Sequence, residues 1–263
     1  KLGEALGDRV LVGRTPGGSP MALSMRDHHH RAIYFLGEHE PEITALFRRL
    51  LVQGATVFDV GANAGYFSVL ACELGAVAVH AFEPNPRIRA LLEHSAGMGG
   101  GAIEVVGAAC GAHAGTATLR LSDPANTGMT SLTDGAEEGG GVTVALVTLD
   151  GYSQRIGAHP NLIKIDVEGY EREVLAGASR LLRDARPIVI AETGSQATLR
   201  LMVEHGYRAQ RILPDGGTVP HDGHLRLVGG YENICFLPPT PGQLTTQTDV
   251  AHRAPAANAR TPR

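Results

Sequence analysis

The chain has 263 residues, a formal net charge of -4 and three cysteines. That length suits one domain with decoration, large enough to bury a core without disulfides or metal. The mildly acidic balance excludes the basic field that nucleic acid or an anionic membrane surface would demand. The scattered Cys72, Cys110 and Cys235 show no C-x-x-C spacing and predict reduced thiols in a cytoplasmic setting.

No apolar run reaches the roughly 18 residues that span a bilayer, and the polar first residues carry no signal-peptide pattern. An Ala-, Gly- and Arg-rich composition without tryptophan reads as a high-GC bacterial coding bias. Residues 1–36 predict irregular or short β structure, with Pro16-Gly17-Gly18 as a turn and His28-His29-His30 in a solvated loop. Ile43, Leu46, Phe47, Leu50 and Leu51 then recur at helical spacing and predict an amphipathic helix ending near Gly54.

Beyond that point short apolar runs alternate with helical patterns. Strands are predicted over 56–60, 77–82, 103–106, 162–167, 187–191 and 232–237, and helices over 64–74, 86–96, 170–183 and 196–205. This alternation predicts an α/β fold with parallel strands, crossover helices and both sheet faces covered. An insertion over about 111–155 carries strand-like runs at 116–121 and 142–149, joined by a Gly-rich loop. Three parts follow: an N-terminal lid or cap over 1–54 with one helix, a cofactor-binding domain over 55–238, and a disordered tail over 239–263.

The sharpest motif is Val57-Phe-Asp-Val-Gly-Ala-Asn-Ala-Gly-Tyr-Phe67, a buried strand running through a Gly-rich turn into a helix. Such a turn lets a ligand approach the backbone closely, and open α/β sheets bind ligands outside the carboxyl ends of their strands. Glu83 ends the second strand 22 residues after Gly61, where a carboxylate can accept hydrogen bonds from both ribose hydroxyls. The G-x-G-x-x-G loop that seats a pyrophosphate is missing, which argues against a nicotinamide-dependent oxidoreductase. Asp59 beside the turn suits instead a cofactor bearing an ammonium and a sulfonium. Asp166 and Glu168 end the fourth strand, two residues apart and so expected on one side of an extended chain, facing the same crevice. Carboxylates there suit methyl transfer to a hydroxyl, which needs in-line alignment and a base or metal for the proton.

Asp59-Val-Gly-Ala-Asn-Ala-Gly-Tyr-Phe67, Ala81-Phe-Glu-Pro-Asn-Pro86, Thr148-Leu-Asp150 and Lys164-Ile-Asp-Val-Glu-Gly169, in that order, resemble the FkbM family of methyltransferases. Glu40-Pro41 and the Ser/Thr-rich Asn126-Thr-Gly-Met-Thr-Ser-Leu132 also resemble its pattern. The resemblance implies a class I, Rossmann-like fold: a seven-stranded sheet with helices on both faces and its last strand antiparallel. It implies S-adenosylmethionine as cofactor and O-methylation of a hydroxyl on a small natural product or sugar moiety.

On that reading Gly61, Asn63 and Gly65 hold the methionine end with Asp59 close by, Glu83 holds the ribose, and Ala108 and Ala109 lie near the adenine. Glu168 and Asp166 fall where related sugar O-methyltransferases place a general base and a metal ligand. Gly169 stands where those relatives carry a further acid, which puts Mg²⁺ in doubt and leaves the metal undecided. Glu40, Ser131 and Glu192 are candidate acceptor contacts, Glu192 as a further member of the carboxylate cluster. No Asn-Pro-Pro-Tyr-type motif for a base amine occurs, so a small-molecule acceptor is expected and a nucleic acid is not. The alternatives are a small-molecule N-methyltransferase, an NAD-dependent oxidoreductase and a cofactor-binding protein without catalysis. The acceptor's identity and the oligomeric state are not legible in these residues.

Overall fold

The computed structural model describes residue 7 and residues 9–99, 102–120, 131–134 and 141–239, with 131–134 described by backbone alone. The expected Gly-rich loop of the insertion lies largely outside the described residues, and so does the tail beyond Pro239.

The main sheet combines β3 (Thr56–Val60), β4 (Ala78–Phe82), β5 (Ile103–Val106), β10 (Leu162–Ile165), β11 (Ile188–Thr193), β12 (Arg208–Ile212), β13 (Thr218–Pro220) and β14 (Glu232–Leu237). The spatial order is β13-β12-β14-β11-β10-β3-β4-β5. Strands β5, β4, β3, β10 and β11 run parallel, and β14 lies antiparallel between β11 and β12. Seven of these strands make the class I methyltransferase arrangement with its antiparallel last strand. The eighth, β13, is a three-residue addition at the edge beside β12. Sequence patterning missed β12 because Arg208, Gln210 and Arg211 interrupt any apolar run near that edge.

The chain enters the sheet centrally at β3, builds outward through β4 and β5, and returns to place β10 on the other side of β3. The strand order therefore reverses between β3 and β10, where helices leave on opposite faces and a crevice opens at the strand ends.

The two cores follow from the period-2 alternation of strand side chains. Val57, Val79, Leu162 and Ile190 face one side. There they meet α2 (Pro41–Leu50), α3 (Tyr66–Glu73) and α4 (Pro86–Met98) through Phe47, Leu70 and Leu91. Phe58, Val60, Ile163 and Val189 face the other side. They pack on α5 (Leu149–Ile156), α6 (Glu171–Ala176), α7 (Ser179–Asp184) and α8 (Gln196–Glu204). The single helix expected over 170–183 divides into α6 and α7 at Gly177, whose carbonyl accepts from Asp150 N–H (2.9 Å).

Among its described residues the N-terminal segment holds two helices where one was expected. The His28–His30 stretch expected as a loop opens α1 (His28–Leu36), because Asp27 accepts from the N–H groups of His29 (2.8 Å) and His30 (3.0 Å). Gly37 closes that helix at φ 73°. The hairpin of β1 (Val10–Arg14) and β2 (Pro20–Ser24) packs in the same core as α2 through Met21 and Leu23, both 0% exposed. This segment is therefore part of the core on that face.

The insertion builds its own sheet, ordered β6-β9-β7-β8, from β6 (Ala108–Cys110), β7 (Gly115–Arg120), β8 (Ser131–Asp134) and β9 (Val142–Val147). Two of its strands were expected. β6 escaped the sequence reading because Ala108-Ala109-Cys110 is short and of low β-propensity.

Candidate functional site

The loop after β3 is held almost entirely by the main chain. Gly61 and Ala62 both donate their N–H to Phe82 O (3.0 Å each), which ties the turn to the end of β4. Gly61 has φ 81°, and a Cβ there would collide with the Asp166 carbonyl oxygen, so the close approach of β3 to the β10 end requires glycine. Asn63 takes φ 51°, and its N–H donates to Glu83 Oε2 (3.0 Å). Asn85 N–H donates to Glu83 Oε1 (2.8 Å). Glu83 is 8% exposed, and burial pushes its carboxyl up to about 7 despite those two donors.

Gly61, Asn63, Glu83, Ala108 and Ala109 line one cavity of about 200 Å³. Gly65 and Asp59 are not among its lining residues. Gly65 opens α3 at φ 94°, against Leu92. Asp59 is 1% exposed and accepts from Ser68 Oγ (2.6 Å) in the first turn of α3; burial raises its pKa. Its other oxygen has no hydrogen-bond partner among the described residues. These two residues brace the loop from behind.

The adjoining wall of the same cavity, reached where Gly61 lies against the Asp166 carbonyl, carries Asp166, Glu168, Glu192 and Glu40. β10 ends at Ile165, so Asp166 and Glu168 do not share an extended strand as expected. They converge through a turn in which Glu168 has φ 52° and Gly169 φ 95°. One oxygen from each of Asp166, Glu168 and Glu192 lies within 4.8 Å of the others. Glu192 comes from the end of β11, and Glu40 precedes α2 at φ 41°.

Lys164 organises this charge. Its ammonium lies 2.9 Å from Asp166 Oδ2 and 4.6 Å from the centre of the Phe67 ring, with its side chain 5% exposed. Burial favours its neutral amine, but Asp166, Glu40 and Asp59 outweigh that and hold the ammonium above its usual range. Burial likewise pushes the Asp166 carboxyl up, and Lys164 overrides it and holds Asp166 ionised. Burial, then Asp166, pushes the Glu192 carboxyl up to about 8, and Glu192 shares a hydrogen bond with Asp166. Burial pushes Glu40 up to about 7. Burial and Asp166 also raise Glu168, against a hydrogen bond from Tyr231. His39, on the same wall, is held down to about 4 by burial and then by Lys164.

Ser131 opens β8 opposite Arg120, and its side chain lies outside the described residues. Lys164 and His39 line the cavity and were not singled out from sequence as site residues, and His29 and His30, expected in a solvated loop, line it as well. Lys164 was the one detectable signal: a lone charge within Leu162-Ile-Lys-Ile165 must find a buried partner. The three cysteines are free thiols, and among the described residues no helix is long and apolar enough to cross a membrane.

Comparison with known proteins bears on this arrangement. No curated protein matches the chain in sequence. Among solved structures, the chain is similar to methyltransferase FkbM from Methylobacillus flagellatus KT, with 17% identity, a TM-score of 0.48, and 78% of this chain and 49% of that chain covered. The chain thus spans about half the length of that protein. It is also similar to precorrin-6y C5,15-methyltransferase from Geobacter metallireducens GS-15, with 12% identity, a TM-score of 0.45, and coverage of 76% and 87%. A third similar structure is a Pyrococcus abyssi tRNA (uracil-54, C5)-methyltransferase in complex with S-adenosyl-L-homocysteine, with 11% identity, a TM-score of 0.46, and coverage of 88% and 45%. Residues 59–209, more than half of the chain, match the methyltransferase FkbM domain, and the chain belongs to that family of methyltransferases.

Proposed function

We propose that this protein is an S-adenosylmethionine-dependent O-methyltransferase acting on a hydroxyl of a small natural product or sugar moiety. The observation that carries this reading is one cavity lined both by the Gly61–Ala64 turn with Glu83 and by the carboxylates Asp166, Glu168 and Glu192. S-adenosylmethionine, when bound, supplies an electrophilic methyl group on a sulfonium. Glu83 would accept from the ribose hydroxyls through the lone pairs that Asn63 and Asn85 leave free. Ala108 and Ala109, small and buried, would leave room for the adenine. Gly61 and Asn63 would hold the methionine end, with Asp59 and Gly65 fixing the shape of that loop.

On the adjoining wall Glu168 takes the proton of the acceptor hydroxyl at a carboxylate oxygen, which contributes about 10²–10⁴-fold in rate. Asp166, kept ionised by Lys164, orients that hydroxyl, and Glu192 and Glu40 bind neighbouring polar groups of the acceptor. The oxygens of Asp166, Glu168 and Glu192 are the hard donors that Mg²⁺ prefers and would hold it, where it would acidify the hydroxyl. Lys164 already supplies a positive charge there, so the carboxylates suffice for the step written above. Carboxylates around the acceptor, together with a net charge of -4, favour a small acceptor over nucleic acid.

Calorimetric titration with S-adenosylhomocysteine and, separately, NAD tests the cofactor. Binding of the first and not the second is expected. The reverse would overturn the reading in favour of an oxidoreductase.

A further inference from the structure

His30 lies 33 residues before Asn63 in sequence, outside the matched domain, yet it is 1% exposed and sits in the cavity wall beside the Gly61–Gly65 turn. Asp27 fixes its backbone by accepting from His30 N–H. Ser24 N–H donates to His30 Nδ1 (3.3 Å), so that nitrogen carries no proton and the neutral ring's proton resides on Nε2. Nε2 lies 2.9 Å from Asn63 Oδ1, which also accepts from Ala64 N–H (2.7 Å). Two donors on one oxygen fix the Asn63 amide, and Asn63 holds φ 51°, a conformation that L residues adopt only with local support. From that position Asn63 N–H reaches Glu83 Oε2. A continuous path therefore runs from the β2 end through His30 and Asn63 to Glu83.

We propose that His30 is a positioning residue for the cofactor loop: through Nε2–H it holds Asn63 in its left-handed conformation and so presets the Asn63–Glu83 contact. The N-terminal segment thereby organises the cofactor site as well as covering it. The link to affinity rests on the proposed binding of S-adenosylmethionine; the link to loop geometry does not.

Two substitutions separate positioning from mere packing. His30→Gln keeps a donor at the reach of Nε2. His30→Asn keeps an acceptor at the place of Nδ1 for Ser24 N–H and loses the donor to Asn63. Affinity for S-adenosylhomocysteine, by calorimetry, is expected to stay within about twofold in His30→Gln and to fall by about tenfold in His30→Asn, the worth of one buried hydrogen bond. Hydrogen–deuterium exchange of residues 61–65 in the ligand-free protein is expected to quicken in His30→Asn and not in His30→Gln. Native affinity and native loop protection in His30→Asn would overturn the proposal, and so would equal losses in both variants, which would mean that the ring only fills space. If the unaltered protein fails to bind S-adenosylhomocysteine, the cofactor reading falls, and the exchange comparison still decides the role of His30.

Discussion

The two walls of the cavity are built on opposite principles. The Gly61–Ala64 wall is local in sequence and nearly complete in hydrogen bonding: main-chain N–H groups of Gly61, Ala62 and Asn63 all have acceptors within 3.0 Å. The carboxylate wall draws Glu40, Asp166, Glu168 and Glu192 from three separate stretches of chain and sets them around one buried cation, Lys164. The first wall is a preformed mould. The second crowds four carboxylates about one lysine, and burial first, with the Asp166 charge behind it, raises three of them. The difference teaches that binding geometry can be stored in a backbone turn, whereas a cluster of buried carboxylates has to be assembled by long-range packing.

The sharpest break of that contrast is at Lys164. Lys164→Met leaves Asp166 facing Glu40 and Glu192 without a counter-charge, and should cost about 3 kcal/mol of folding stability. Denaturant titration measures this. A loss below about 1 kcal/mol, the size of an ordinary substitution, would show that the carboxylates do not depend on the lysine.

Next in size is Glu168→Gln, which keeps shape and removes basicity. Turnover should fall by about 100-fold, within the general-base range, while affinity for S-adenosylhomocysteine stays near normal. Normal turnover with a true acceptor would move the base to another residue such as Glu192. Full activity of the unaltered enzyme in EDTA would leave Asp166 an orienting role; activity lost in EDTA and restored by Mg²⁺ would make it a metal ligand.

On the first wall, Glu83→Ala should weaken cofactor binding by about tenfold or more, since charge-assisted hydrogen bonds contribute about 1.5–3 kcal/mol each. Unchanged affinity in a folded variant would place the ribose elsewhere. The mildest test uses pH on the unaltered protein. Burial holds the Glu83 carboxyl up to about 7, and the ribose hydroxyls need the ionised form as acceptor. Affinity should therefore rise with pH, and be about tenfold weaker at pH 6 than on the plateau above pH 8. A flat profile across that range would mean that Glu83 is already ionised in the free protein, or that it does not touch the cofactor.

Legibility in the sequence followed the same division. The β3 turn, the β4 end with Glu83 and the β10 end with Asp166 and Glu168 were readable because each is a short continuous string whose residue types answer a local requirement: glycine at positive φ, a carboxylate at a strand end. α1 was readable in principle, since Asp27 and Gly37 bracket it as cap and stop, but three histidines in its first turn carry no apolar stripe. β12 and β6 were not readable, because a strand interrupted by Arg208, Gln210 and Arg211 and a three-residue Ala-Ala-Cys strand lack the patterns that mark buried strands.

By itself, then, the sequence determined the α/β alternation, the family and the residues of the two strand-end motifs, because hydrophobic period and turn chemistry act over a few neighbouring residues. Only the tertiary structure decided that Asp166 and Glu168 meet through a left-handed turn, that Lys164 neutralises one of them, and that His30 reaches Asn63 across 33 residues. Those contacts depend on where whole helices pack on the sheet, and burial turns each into a strong interaction that no local pattern announces.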